Sequence, residues 1–237
     1  MASFGGYPQT INYQTVNVSQ GGGGSQNLLI NPRGKINQAN EADGILLPGQ
    51  YFCDGWKAGA AGAEVYIDDD GFRLISGSIL QLVPNILEPN ENLRGNMDVI
   101  SGNAVISING SGDNVTVGSG EYIQFEVSGD NSKFTRMILA PGNSLPVYQQ
   151  SSDELFPCLK FLFVQQKRVH TFTSGGSSKA DVFFPVPMFK TPAVTVFNPS
   201  SPVNYSYGGL NSTLDGFHIN SGGIAANVDG FIADARP

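Results

Sequence analysis

Few side chains in this sequence are placed to do chemistry. The two histidines, His170 and His218, stand far apart among β-prone neighbours. Neither has the short spacing of a metal-binding pair, and both read as surface or interface residues. The two cysteines, Cys53 and Cys158, fall in different predicted units and read as free, largely buried thiols. There is no Gly-x-Ser-x-Gly nucleophile elbow, and no glycine loop leads into Lys-Ser or Lys-Thr. The acidic residues are scattered over turns, whereas glycan cleavage needs a carboxylate pair across a cleft. The expectation is a non-enzyme without cofactor.

Residues suited to binding are easier to find. Asp68-Asp69-Asp70-Gly71 could gather carboxylates on a calcium ion. Its plainer reading is a hairpin turn with solvated acids, because Asp-Gly is a strong turn signal. Trp56 is the sole tryptophan and lies close in sequence to Tyr51, Phe52 and Tyr66. A sugar ring can stack on such an aromatic while polar neighbours take its hydroxyls. Burial in a sandwich core is the competing reading for Trp56. Asn204, Tyr205 and Tyr207 lie in a stretch rich in Tyr, Ser, Gly and Asn, the composition of adaptable binding loops. With Trp56, if exposed, they are the candidate glycan contacts; an ordinary hairpin loop is the alternative.

Composition narrows the partners. Thirteen basic and 20 acidic residues give a net charge of −7 over 237 residues. That balance disfavours nucleic acid. No apolar run approaches the ~18 residues of a membrane span, so no membrane insertion is expected. Only 14% of residues are charged, against ~25% in ordinary soluble domains. A surface of Gly, Asn, Ser and Thr fits packing against other copies, since interface cores are depleted of charge; a merely polar, neutral monomer is the alternative.

The elements that would position these residues are strands. Residues 1–26 read as an arm with Gly-rich linkers around a β-prone segment, Ile11 to Val18. Such a segment can add to the edge of a neighbour's sheet; a disordered tail is the alternative. Residues 27–150 carry short alternating runs at Ile45–Tyr51, Glu64–Ile67, Phe72–Ile75, Ser78–Val83, Ala104–Ile108, Val115–Val117, Glu121–Val127 and Lys133–Leu139. Turn signals, among them Ser76-Gly77, separate them, which predicts a β-sandwich or barrel. Ser151, followed by Asp153 and Glu154, marks a helix of two or three turns reaching about Phe161. Strands resume at Phe163–Thr173, Ala180–Val186, Ala193–Asn198, Phe217–Ile219 and Gly230–Ala233. Residues 151–237 are therefore a second β-domain, small for a core of its own, for which oligomerisation is the natural remedy.

The run Asn27-Leu28-Leu29-Ile30-Asn31-Pro32, continuing to Gln38, and the run Pro48 to Gly59 with Tyr51, Asp54 and Trp56, resemble the opening of tailed-bacteriophage fibre and appendage proteins. Gly55 stands where that family carries Arg. Pro146-Val147-Tyr148 with Glu154-Leu155 and Cys158, then Phe184-Pro185-Val186-Pro187-Met188, and finally Gly230 to Arg236 resemble later motifs of the family, in order. The resemblance implies a virion protein assembled in the host cytoplasm and commonly homotrimeric. It implies a jelly-roll β-sandwich similar to carbohydrate-binding modules over 27–150, and a C-terminal trimerisation or tip domain over 151–237. The function expected is a structural and adhesive part of the phage tail. The arm would join other tail or baseplate proteins, and the surface would bind host glycan multivalently. A purely structural head fibre, decoration protein or adaptor is the alternative, and a glycan depolymerase a more distant one.

Overall fold

Alternation of apolar and polar residues shapes much of the fold. The computed structural model describes residues 26–174, 177–207, 213–221 and 226–237. The arm expected over 1–26 lies outside these residues except for Gln26. The first unit holds β1 (Gly44–Leu46), β2 (Tyr51–Cys53), β3 (Trp56–Asp68), β4 (Gly71–Pro84), β5 (Asn92–Ser101), β6 (Val105–Ile108), β7 (Asn114–Thr116), β8 (Tyr122–Ser128) and β9 (Ser132–Pro141). All pair antiparallel in one nine-stranded network. The molecule is an all-β sandwich, with a single helical turn among the described residues, as the alternation predicts.

β4 is the strand that closes this sandwich. It pairs with β3 over much of its length, with β9 through Phe72 to Leu74, and with β8 through Ser78 to Pro84. One strand thus belongs to both layers, and the layers fold over a shared core. That core is aromatic. Phe52, Trp56, Phe72, Phe125 and Phe134 are all buried, with Trp56 5.5 Å from Phe72 and 6.2 Å from Phe125 between ring centres. In β8, Ile123, Phe125 and Val127 point inward while Gln124 and Glu126 face out.

The structure corrects the sequence reading at several points. Ser76-Gly77 is not a turn between two strands; β4 runs straight through it. Gly77 absorbs a register shift at a φ of +81°, and a Cβ there would lie 2.3 Å from the Gly62 carbonyl oxygen. The expected strand Ile45–Tyr51 is split into β1 and β2, because the Gln50 amide donates to the Leu47 carbonyl at 3.0 Å in a turn over Pro48-Gly49. β5 is absent from the sequence reading altogether. Its outer residues are polar or exposed, so alternation is weak, and Gly95 brings the backbone against Phe125 and Ile106.

The junction helix α1 (Leu155–Cys158) is one turn rather than two or three. Pro157 stands inside it without an amide proton. The cap also differs: Asp153 Oδ1 accepts from the Phe156 amide at 2.9 Å, while Ser151 Oγ accepts from the Asp153 amide. After it come β10 (Leu162–Gln165), β11 (Val169–His170), β12 (Phe172–Ser174), β13 (Ser177–Phe183), β14 (Ala193–Phe197), β15 (Asn204–Ser206), β16 (Gly216–Asn220), β17 (Asn227–Val228) and β18 (Gly230–Asp234). They form three small antiparallel sheets, ordered β10-β18-β14, β11-β17 and β12-β13-β16-β15. Phe217, Phe231, Ile219 and Val228 fill their core, with Phe217 edge-on to Phe231 at 5.0 Å.

The last residues of the chain bind the second unit to the first. Arg236, its side chain 7% exposed, pairs with Glu41 and Asp234 at 2.8 Å each and lies 4.0 Å over the Tyr51 ring. The Pro237 carbonyl oxygen accepts from the Tyr51 hydroxyl and the Lys57 ammonium. Gln38 Nε2 bridges buried Asp54 and the Leu162 carbonyl. Burial raises Tyr51 to about 12, and raises both Glu41 and Asp54 above the usual carboxylate range. No helix among the described residues is long and apolar enough to cross a membrane.

Candidate functional site

Trp56 settles first, because β3 begins with it and aims it inward. It has no exposed surface, and its Nε1 donates to the Asn31 carbonyl at 2.9 Å. Asn31 is itself buried at a φ of +48°, and its amide donates to the Ile36 and Asp54 carbonyls. The Asn27–Asn31 run therefore wraps and fastens the core tryptophan. Trp56 offers no face to a sugar, and the reading that made it a contact if exposed gives way to the core reading.

Asp68, Asp69 and Asp70 form the β3–β4 hairpin end, as the turn reading has it, but the acids are not merely solvated. Lys133 pairs with Asp68 at 2.9 Å and Arg73 at 3.3 Å; Arg33 and Arg136 each reach Asp70 at 3.5 Å. Lys133 first, then Arg73, holds Asp68 below the usual carboxylate range. Basic side chains thus already engage Asp68 and Asp70. No group of three or more metal-ligating side chains converges among the described residues. Cys53 and Cys158 are free and buried, and burial raises both thiols, away from the reactive thiolate.

The Asn204–Tyr207 segment is divided by its own strand. β15 is an edge strand whose Asn204, Tyr205 and Ser206 register with Asn220, Ile219 and His218 of β16. Successive side chains of a strand point to opposite faces. Tyr205 therefore shares the face of buried Ile219, its ring 6.5 Å from Phe217 and 6.0 Å from Tyr207, with 45% of its surface exposed. The Tyr207 hydroxyl donates to the Pro192 carbonyl, and burial raises its pKa. Tyr207 is a brace, and Tyr205 a half-open rim. Asn204 lies on the opposite, outer face, so the proposed group does not converge.

That outer face carries a constellation the sequence reading missed. In β13 and β16 the register pairs Asp181 with His218 and Phe183 with Gly216. Asp181 Oδ1 lies 2.6 Å from His218 Nδ1, and Asn220 Nδ2 donates to Ser206 Oγ at 3.0 Å. Phe183, 66% exposed, stands two residues along from Asp181 and opposite a glycine. An exposed aromatic ring thus stands on this face beside a row of hydrogen-bonded polar groups. The signal was present in the sequence: Ala180, Val182 and Phe184 alternate inward, which sends Asp181 and Phe183 out.

Against known protein families, curated proteins and solved structures, the chain gives no match.

Proposed function

We propose that this protein is a structural and adhesive component of a bacteriophage tail, a short fibre or baseplate appendage that acts as a homotrimer and binds host-surface glycan. The family reading rests on the ordered motifs between Asn27 and Arg236. The observation that carries adhesion is the exposed Phe183 ring beside the Asp181–His218 pair on the outer face of β13 and β16. Sugars present an apolar ring face and a rim of hydroxyls, and a ring flanked by polar groups answers both. One such shallow site binds weakly. Three copies on one particle gain through effective concentration.

Exposed aliphatics favour a second reading, a purely structural virion protein. Ile45, Leu47 and Ile86 are each more than 70% exposed, apolar side chains that a neighbouring protein of the particle could cover. A printed glycan array combined with mass measurement in solution separates the two. The adhesive reading expects trimers whose array signal falls in Phe183→Ala. Trimers without any glycan signal establish the structural reading instead, and monomers overturn the assembly common to both.

A further inference from the structure

A concave surface on the first unit is built around a strained arginine. In β9 and β5, Thr135 pairs with Asp98 and Ile138 with Asn96, so Arg136 and Met137 together face the single residue Met97. This is a β-bulge, a device that re-aims a side chain. Arg136 takes up the extra length at a φ of +51°, a conformation that costs a side-chain-bearing residue about 1–2 kcal/mol. Its guanidinium is thereby turned outward, reaching Asp98 at 3.2 Å and Asp70 at 3.5 Å.

The segment following β9 supplies the opposite wall. Asn96 Nδ2 donates to the Pro146 carbonyl at 2.9 Å and so draws residues 146–150 alongside β5. The Tyr148 hydroxyl donates to Glu154 at 3.2 Å, and Arg33 holds Glu154 from the other side at 3.0 Å. Tyr148 is therefore fixed in place without a ligand. Asn96, Asp98, Arg136, Val147, Tyr148 and Gln150 enclose an open groove of about 350 Å³.

The chemistry of this lining is selective. Size places the groove at the small end of ligand sites, room for one or two sugar rings. Val147 and Tyr148 offer apolar and aromatic surface. Two amides, a carboxylate and a guanidinium offer planar donors and acceptors suited to neighbouring hydroxyls. The charge of Arg136 is already answered by Asp98 and Asp70, so an anionic ligand would meet carboxylates instead of a free cation. We propose that the groove between β5, the β9 bulge and residues 146–150 is a second saccharide subsite, selective for an uncharged ring. It rests on the adhesive reading and lies on a different unit from the Phe183 face.

The test uses the full chain and three variants on one array. The array carries neutral di- and trisaccharides of glucose, galactose and mannose beside sialylated and uronic-acid counterparts, and the strongest binder is then titrated by calorimetry. Arg136→Gly removes the guanidinium at a φ that glycine adopts freely. Val147→Arg, at a position 62% exposed, fills the groove from a surface site and should fold normally. Phe183→Ala removes the outer-face ring. The expected result is neutral-saccharide binding that weakens about tenfold or more in both groove variants, and falls less, without vanishing, in Phe183→Ala. Loss confined to Phe183→Ala overturns the groove and leaves the adhesive reading standing. Binding restricted to acidic glycans overturns the neutral class. An intact chain that binds no glycan overturns both sites together.

Discussion

The two units of this molecule solve the same burial problem with unequal means. The first has strands of 13 and 14 residues at its centre, β3 and β4. They share one network, so each long strand is held from both sides and a tryptophan and four phenylalanines stack between the layers. The second spreads its strands over sheets of three, two and four. Its core is smaller, and it leans on the first through Arg236, Pro237 and Gln38. The sequence reading assigned the rescue of this small unit to sister chains. The structure adds a contribution from within the same chain: the second unit closes part of its surface against its own neighbour. A unit that needs a partner can find it through the chain, and the interface then inherits the buried ion pairs of a domain core.

The contrast is broken most severely at Trp56. Trp56→Ala removes the ring at the centre of the first core and leaves the Asn31 carbonyl without its donor. A loss of about 4 kcal/mol is expected, read as a lower denaturant midpoint. The second unit should unfold in the same transition, because it docks on the first. If the second unit outlives the first, the dependence runs the other way.

Arg236→Ala tests that dependence directly. It strands Glu41 and Asp234 and removes the cover over Tyr51. About 2–3 kcal/mol should be lost, less than for a fully enclosed pair because Asp234 is partly exposed. Calorimetry should then resolve two transitions, with the C-terminal unit melting first. Arg236→Lys should restore little, since an ammonium cannot stack flat on the tyrosine or form the same fork. A single sharp transition in Arg236→Ala would show that Gln38 and the Arg33–Glu154 pair suffice.

Gly77→Ala sharpens the account of the first unit. At a φ of +81° with the Gly62 carbonyl in the way, alanine should cost about 2 kcal/mol. Gly110→Ala, also at positive φ but in open space, should cost less, about 1 kcal/mol. Equal thermal midpoints for the two variants would mean that β4 bends around the bulge without needing close approach.

Acidity gives the smallest effect and a sign that differs between regions. Burial raises Glu41 and Asp54 at the junction, so their contribution is fully present below the unfolded carboxylate value of about 4 and is lost as pH rises through the folded value. Lys133 lowers Asp68, whose contribution is present above the unfolded value and is lost as pH falls through the folded one. Denaturant titrations between pH 3 and 7 (a range chosen about the ordinary carboxylate values) should therefore show Glu41→Gln gaining on the intact chain as pH rises. Asp68→Asn should lose ground over the same range. Parallel curves would place both carboxylates in ordinary solvent.

Much of the architecture was legible from residue order. Alternation located β8, β9, β14, β16 and β18 to within a few residues, and Asp69-Asp70-Gly71 marked the central hairpin. β5 escaped because its partners, and not its own pattern, make it a strand: Gly95 and Asn96 carry no apolar stripe, yet they pair with Leu139 and Ile138 of β9. The candidate surfaces divided the same way. The outward placement of Phe183 follows from period-two counting, although Phe184 and Pro185 beside it blur the pattern. The Arg136 groove had no sequence signal, since a bulge depends on the register of two strands far apart in the chain.

The order of amino acids by itself determined an all-β chain, poor in charge, with Phe183 turned outward on its strand, because side-chain period and turn chemistry are local properties. Tertiary structure alone decided that Trp56 is buried, which carboxylates met cations, and that Arg236 would close on Tyr51 and Glu41 from the far end of the chain. Those outcomes depend on register and on contacts between distant segments, and no local pattern encodes the distance across which two strands will meet.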